Sequence, residues 1–217
     1  MLNIPSIAQT AGFSGVIVGI WNPADDLELT NAEVVEDNPI VMGYSIGNEG
    51  LYERYTLDIL TAAMQRVRKK TGKPVSTTEQ INDYYENSPL WQISDWIFPN
   101  AHPYFARIRD PKEAAQWTEL VYHNLEHVSK KPIIFKEIGL PTAGDAGLDE
   151  INQAEYYRLM LASPVKFVVF EAFDAPWKHL NPPDVNGNYP LPDPEPHWGI
   201  FTSNRTPKLA VKGICDK

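Results

Sequence analysis

The chain has 217 residues and a formal net charge of −9, a balance that excludes nucleic acid and an anionic membrane surface as partners, since both need a basic face. Its 43% hydrophobic and 22% charged fractions are those of one ordinary globular domain, so residues 1–217 are read as a single domain around one substantial core. The lone cysteine, Cys215, leaves no intramolecular disulfide and no cysteine metal cluster; the histidines lack ligand spacing, so no metal and no cofactor is expected. No apolar run is long enough to cross a bilayer, and the N-terminus lacks the basic patch and apolar core of an export signal.

In chain order, residues 4–12 predict a helix ending at Gly12 that feeds a strand over 15–21. A second strand is predicted over 40–48. Leu57, Leu60, Met64 and Val67 then recur at helical spacing, and Arg68-Lys69-Lys70 before Gly72 makes a C-terminal signature. Strands follow over 74–78 and 95–101. Ala114, Trp117, Val121, Leu125 and Val128 mark a helix after Pro111, followed by a strand over 132–136, a helix over 151–161 and a sixth strand over 166–170. Strands alternating with helices predict an α/β fold with a parallel sheet. Prolines at 182, 183, 190, 192, 194 and 196 make residues 181–196 a long ordered loop.

Two glutamates carry the chemistry. Glu49 closes the run from Ile40 to Asn48, and Glu137 closes Pro132-Ile133-Ile134-Phe135-Lys136. A carboxylate that ends an apolar strand sits where the strand ends of an α/β barrel form the active face, and a pair of them is the equipment for cutting a glycosidic bond. Asn48 beside Glu49 offers an amide to a sugar hydroxyl. A third cluster, Phe170-Glu171-Ala172-Phe173-Asp174-Ala175-Pro176-Trp177-Lys178, places two acids, aromatics and a lysine after the last strand; a buried, unpaired Glu171 would be costly, so these groups are expected in a pocket. Glu79 and His102-Pro103-Tyr104 follow the third and fourth strands. Flat rings beside carboxylates suit sugars, whose C–H faces lie on aromatic surfaces.

These segments, with residues 8–21, Lys136 to Pro141 and Glu195-Pro196-His197-Trp198-Gly199-Ile200-Phe201, resemble glycoside hydrolase family 17, the family of β-1,3-glucanases, lichenases and β-1,3-glucan transglycosylases, and most of all its bacterial and fungal branch. The resemblance implies a retaining TIM-type (β/α)8 barrel, with Glu49 as general acid/base and Glu137 as nucleophile. Retention requires the two carboxyls to lie about 5 to 5.5 Å apart. Asn48, Glu79, His102, Tyr104, Glu171, Asp174, Lys178 and Glu195 become supporting or sugar-binding residues, with Trp177 and Trp198 as subsite walls. Lys178 is expected to keep the nucleophile ionised. Leu140 stands where the family usually has Trp. The family's first strand, first helix and second strand have no counterpart, which implies a barrel reduced to about six βα units, with open sheet edges through which a homodimer could form. The implied substrate is β-glucan, and its polymeric nature implies an extracellular or periplasmic location. The rival expectation is a catalytically weak or inactive barrel that binds glucan; a third is a related enzyme acting on mannan or cellulose.

Overall fold

The computed structural model describes residues 3–87, 89–179 and 193–215. They gather into two compact units, Met1–Asn100 with Val128–Ile134, and Ala101–His127 with Phe135–Lys217. Residues 181–192 of the expected loop lie outside the described residues.

In the first unit, α1 (Ile4–Thr10) leads into β1 (Val16–Ile20), and α2 (Asp26–Glu33) connects β1 to β2 (Val41–Asn48). Helix α3 (Leu57–Thr71) connects β2 to β3 (Val75–Thr78), and the short helices α4 (Ile81–Glu86) and α5 (Pro89–Ile93) follow. The three strands pair parallel in the order β1-β2-β3. Each connection is a helix because a parallel pair needs a long crossover. Helix α3 illustrates how the sequence builds these units. The Thr56 hydroxyl accepts from the Ile59 amide at its start, Leu60, Met64 and Val67 bury one stripe, and Gly72, at φ 66°, ends it by donating to the Arg68 carbonyl.

In the second unit, α6 (Pro111–Ser129) precedes β4 (Phe135–Ile138), α7 (Glu150–Ala162) connects β4 to β5 (Phe167–Val169), and α8 (Leu209–Cys215) closes the described chain. Strands β4 and β5 again pair parallel. Ala114, Val121 and Leu125 bury as the spacing of α6 implies, whereas Val128 is exposed.

Two expectations are corrected. Residues 95–101 form no continuous strand, only isolated bridges at Ile97 and Asn100. Pro99 has no amide to give to a ladder, and the Trp96 carbonyl takes the Ser76 hydroxyl at 2.6 Å rather than a backbone partner. The strand expected over 132–136 divides: Ile133 bridges to Ile97 in the first unit, and the ladder with β5 begins only at Phe135, whose amide donates to the Lys166 carbonyl at 2.8 Å.

Candidate active site

Glu49 follows an irregular strand end. Between Ser45↔Ser76 and Asn48↔Thr78, β2 takes three steps while β3 takes two, so one extra residue is accommodated before the carboxylate. Gly47 is what permits it. Its φ is +84°, and a Cβ there would lie 2.5 Å from the Tyr55 hydroxyl oxygen. That hydroxyl donates to Glu79 Oε1 at 2.6 Å, while Glu79 Oε2 accepts the Gly50 and Leu51 amides at 3.0 and 3.3 Å. Glu79 is therefore a fully buried clamp on the turn just after Glu49. Burial raises its pKa above the ordinary carboxylate range, against the pull of those three donors. Burial and the Glu79 charge push the Tyr55 hydroxyl up as well. Glu49 itself has φ 47°, donates its amide to the Thr78 carbonyl at 2.9 Å, and accepts the Asn100 side-chain amide on Oε1 at 2.7 Å. Asn48, the last residue of β2, is half-buried, and its carbonyl accepts from the Arg54 guanidinium, which lies 3.8 Å over the Trp21 ring.

Glu137 sits in a different setting, within the second unit. Its Oε1 accepts from Lys136 Nζ at 2.6 Å, and His102 Nε2 lies 3.4 Å from Oε2. The His102 ring is enclosed by Phe105, Phe170 and Trp198, with centroids at 5.8, 5.1 and 4.9 Å. Burial alone would raise the Glu137 carboxyl; the His102 hydrogen bond and the Lys136 ammonium outweigh it and hold the carboxyl below its ordinary range. A carboxylate kept anionic in this way is ready to act as a nucleophile or a charge stabiliser.

The other expected site residues divide into those left open and those already committed. Trp177 is 78% exposed and can offer a ring face. Lys178 reaches Glu171, at 3.0 and 2.9 Å from its two carboxylate oxygens, and lies over the Phe170 ring at 4.8 Å. The ammonium bonded to Glu137 is that of Lys136. Glu195 is half-buried in a single 3-10 turn, Glu195–His197; burial raises its pKa, with Lys178 and His102 pulling the other way. Three others are engaged within the fold. Trp198 is fully buried, so it presents no open wall and supports His102. Asp174 Oδ1 takes the Lys208 ammonium at 2.7 Å and the Gly199 amide at 3.1 Å. Glu79 is spent on the turn after Glu49. The Tyr104 hydroxyl donates to Asp145, which also pairs with Arg109, and Leu140 is wholly buried.

Sequence reasoning missed Asn100, Lys136, Tyr55 and Lys208. Asn100 closes an apolar run just as the two glutamates do, a signal that was available. Lys136 was visible beside Glu137 but was given no role, since regular strand alternation sends neighbouring side chains to opposite faces. Nothing local marked Tyr55 and Lys208.

Parallel strands whose ends carry separately supported glutamates are found in α/β hydrolytic enzymes, and comparisons with known proteins fix the class. The sequence profile of the BtgE/BtgC glycoside hydrolase domain matches residues 1–199. The chain belongs to that family, and the resemblance to glycoside hydrolase family 17 is borne out. A protein of Aspergillus niger named as a glucan endo-1,3-β-glucosidase (btgC) is 29% identical over 214 residues, 83% of this chain and 30% of that protein. A glucan 1,3-β-glucosidase of Arthroderma benhamiae is 27% identical over 228 residues, 93% of this chain and 72% of that protein. The chain thus spans less than a third of the length of the Aspergillus niger relative. Among solved structures, an active-site mutant of the Rhizomucor miehei β-1,3-glucanosyltransferase in complex with laminaritriose superposes with a TM-score of 0.78 at 22% identity, covering 95% of this chain and 78% of that one; the likeness shows a shared fold.

Proposed function

We propose that this protein is a retaining, endo-acting β-1,3-glucan hydrolase or transglycosylase, able also to take mixed β-1,3-1,4-glucan, in which Glu137 is the nucleophile and Glu49 the general acid/base. The observation that carries the reading is the anionic setting of Glu137, a largely buried carboxylate at a strand end fixed by Lys136 and His102. In the first step a Glu137 oxygen attacks the anomeric carbon, the bond to the leaving sugar breaks, and Glu49 gives its proton to the departing oxygen. In the second, water or a sugar hydroxyl loses its proton to Glu49 and attacks the same carbon, releasing Glu137 as carboxylate. Which acceptor arrives first decides between hydrolysis and transfer. The β-1,3-glucan names of the relatives and the laminaritriose bound by the Rhizomucor miehei enzyme support the substrate class.

The parallel strand order and the shared fold support a TIM-type (β/α)8 design as the frame of this site. Asn48, Glu171, Lys178, Glu195 and the exposed Trp177 are the side chains we assign to the sugar, with His102 beside the nucleophile. The reading includes pairing of two copies along β1, which among the described residues bonds only to β2 within its sheet, and an extracellular or periplasmic location, where polymeric glucan lies. Among the described residues no helix is long and apolar enough to cross a membrane.

Incubation with laminarin, lichenan and curdlan tests the proposal. New reducing ends or longer transfer products, with the β-anomer appearing first by proton NMR, are expected. Sugar binding without product would favour a glucan-binding protein, and α-anomer first would exclude retention. Light scattering across a concentration series tests the pairing, which a monomer at every concentration would exclude.

A further inference from the structure

The contact between Lys136 and Glu137 should not exist in a regular strand. Neighbouring residues point to opposite faces, so a lysine immediately before a site glutamate would normally leave the site. In β4 the register explains why it does not. Phe135 pairs with Phe167 and Ile138 with Val169, so β4 takes three steps while β5 takes two. Phe135 and Ile138 are both buried, and Lys136 and Glu137 between them are both half-buried. The extra residue is a bulge in which Lys136 and Glu137 together oppose Val168, and a bulge re-aims a side chain that alternation would send elsewhere.

We propose that Lys136 is a positioning residue for the reaction: carried to the Glu137 side by this bulge, its ammonium holds the carboxylate in one orientation and in the anionic form that attacks sugar. The proposal rests on Glu137 as nucleophile. The geometry gives each carboxylate oxygen its own donor, Lys136 Nζ on Oε1 at 2.6 Å and His102 Nε2 on Oε2 at 3.4 Å. The two donors are not equivalent. His102 comes from the segment after residue 101 and is held by packing against three rings; it also interacts with Glu195, which in turn interacts with Lys178 and Glu171. Lys136 is the nearer of the two and comes from the bulge itself, so the strand that carries Glu137 also fixes its ammonium against the carboxylate. When Glu137 is esterified to sugar the ammonium remains beside the ester oxygens, where it favours departure of the carboxylate in the second step.

The experiment uses Lys136→Met, which keeps the length of the side chain and removes its charge, and Lys136→Arg, which keeps the charge. Carboxyl-carbon NMR titration, with the Glu137 resonance assigned by its loss in Glu137→Gln, reads protonation without any turnover. The pH dependence of kcat/KM on laminarin reads the same group in the reaction. In Lys136→Met the Glu137 midpoint and the acid limb of kcat/KM should both move up by about one pH unit, with kcat falling more than KM rises, and Lys136→Arg should restore most of both. If the Met variant loses native far-UV circular dichroism, Lys136→Gln takes its place. An unmoved Glu137 midpoint overturns the proposal whatever the turnover. A midpoint that moves in a protein releasing nothing from any glucan keeps the Lys136 role on the carboxylate and overturns the proposed function.

Discussion

Glu49 follows, and Glu137 lies within, a parallel strand that carries one extra residue relative to its neighbour, yet the two surroundings are opposite in kind. Around Glu49 the side-chain donor is a neutral amide, Asn100, and the turn beyond is pinned by a second, fully buried acid, Glu79. Around Glu137 the donors are an ammonium and an imidazole. A cation penalises the protonated form of a carboxyl; a neutral amide does so far less. The same backbone device is thus used twice, once to set a carboxyl beside a neutral amide and once to set one beside two basic side chains. Proton transfer and nucleophilic attack need those two different settings.

The comparison breaks first on activity. Replacing Glu137 by Ala removes the proposed nucleophile, so turnover of unactivated glucan should fall on the order of 10⁴-fold or more. Glu49→Ala should cost about 10²- to 10⁴-fold on the same glucan, while retaining much of the rate on an aryl glycoside whose leaving group needs no proton. Initial rates on laminarin and on a nitrophenyl β-glucoside oligomer measure both. Equal and mild losses in the two variants would remove the distinction altogether.

A smaller effect sharpens the neutral side. Asn100→Ala deletes the 2.7 Å bond to Glu49 Oε1, a hydrogen bond to a carboxyl worth about 1.5–3 kcal/mol. kcat should therefore fall by about 10- to 100-fold, mostly on substrates that need proton donation. An aryl glycoside with a good leaving group should show little of that loss. If both substrates lose equally, Asn100 holds the backbone and not the acid.

How far the site could be read from the sequence follows the same division. Strand ends and their acids were legible because apolar runs closed by Glu are local features, and the first two strands and the helices over α3, α6 and α7 fell close to where periodicity put them. What sequence reasoning mistook depends on irregular backbone. It gave Lys136 no role because a bulge carries no local signature, and looked to Lys178, which pairs with Glu171. It read 95–101 as a strand because Trp96, Ile97, Phe98 and Ala101 outweighed Pro99. It assigned Trp198 and Asp174 to sugar because polar and aromatic residues near a catalytic motif look alike whether they face a pocket or a core; the partner that decides for Asp174 is Lys208, 34 positions away.

The subtlest test of the comparison is the pH dependence of stability, where the buried acids of the two units should pull in opposite directions. Glu137 is held below the ordinary carboxylate value by His102 and Lys136 despite its burial. The unfolded chain therefore binds this proton more readily, so Glu137 contributes stability that is present above its unfolded value and is lost as pH falls through its folded value. Glu79 is raised above the ordinary value by burial, in spite of Tyr55 and the Gly50 and Leu51 amides. Its contribution is complete below the unfolded value and is lost as pH rises through the folded one. Urea unfolding of the wild type, Glu137→Gln and Glu79→Gln at pH values from neutral down to about 4 separates the two. On acidification the wild type should lose stability relative to Glu137→Gln and gain it relative to Glu79→Gln, each difference changing by at most about 1.4 kcal/mol per pH unit for a single proton. Constant offsets between wild type and both variants would mean that neither carboxyl changes its affinity for protons on folding, and the contrast between a clamped acid and a charged one would have to be abandoned. A difference that moves in the same direction for both would place Glu79 among the cation-supported acids, which its hydrogen bonds to one hydroxyl and two backbone amides do not allow.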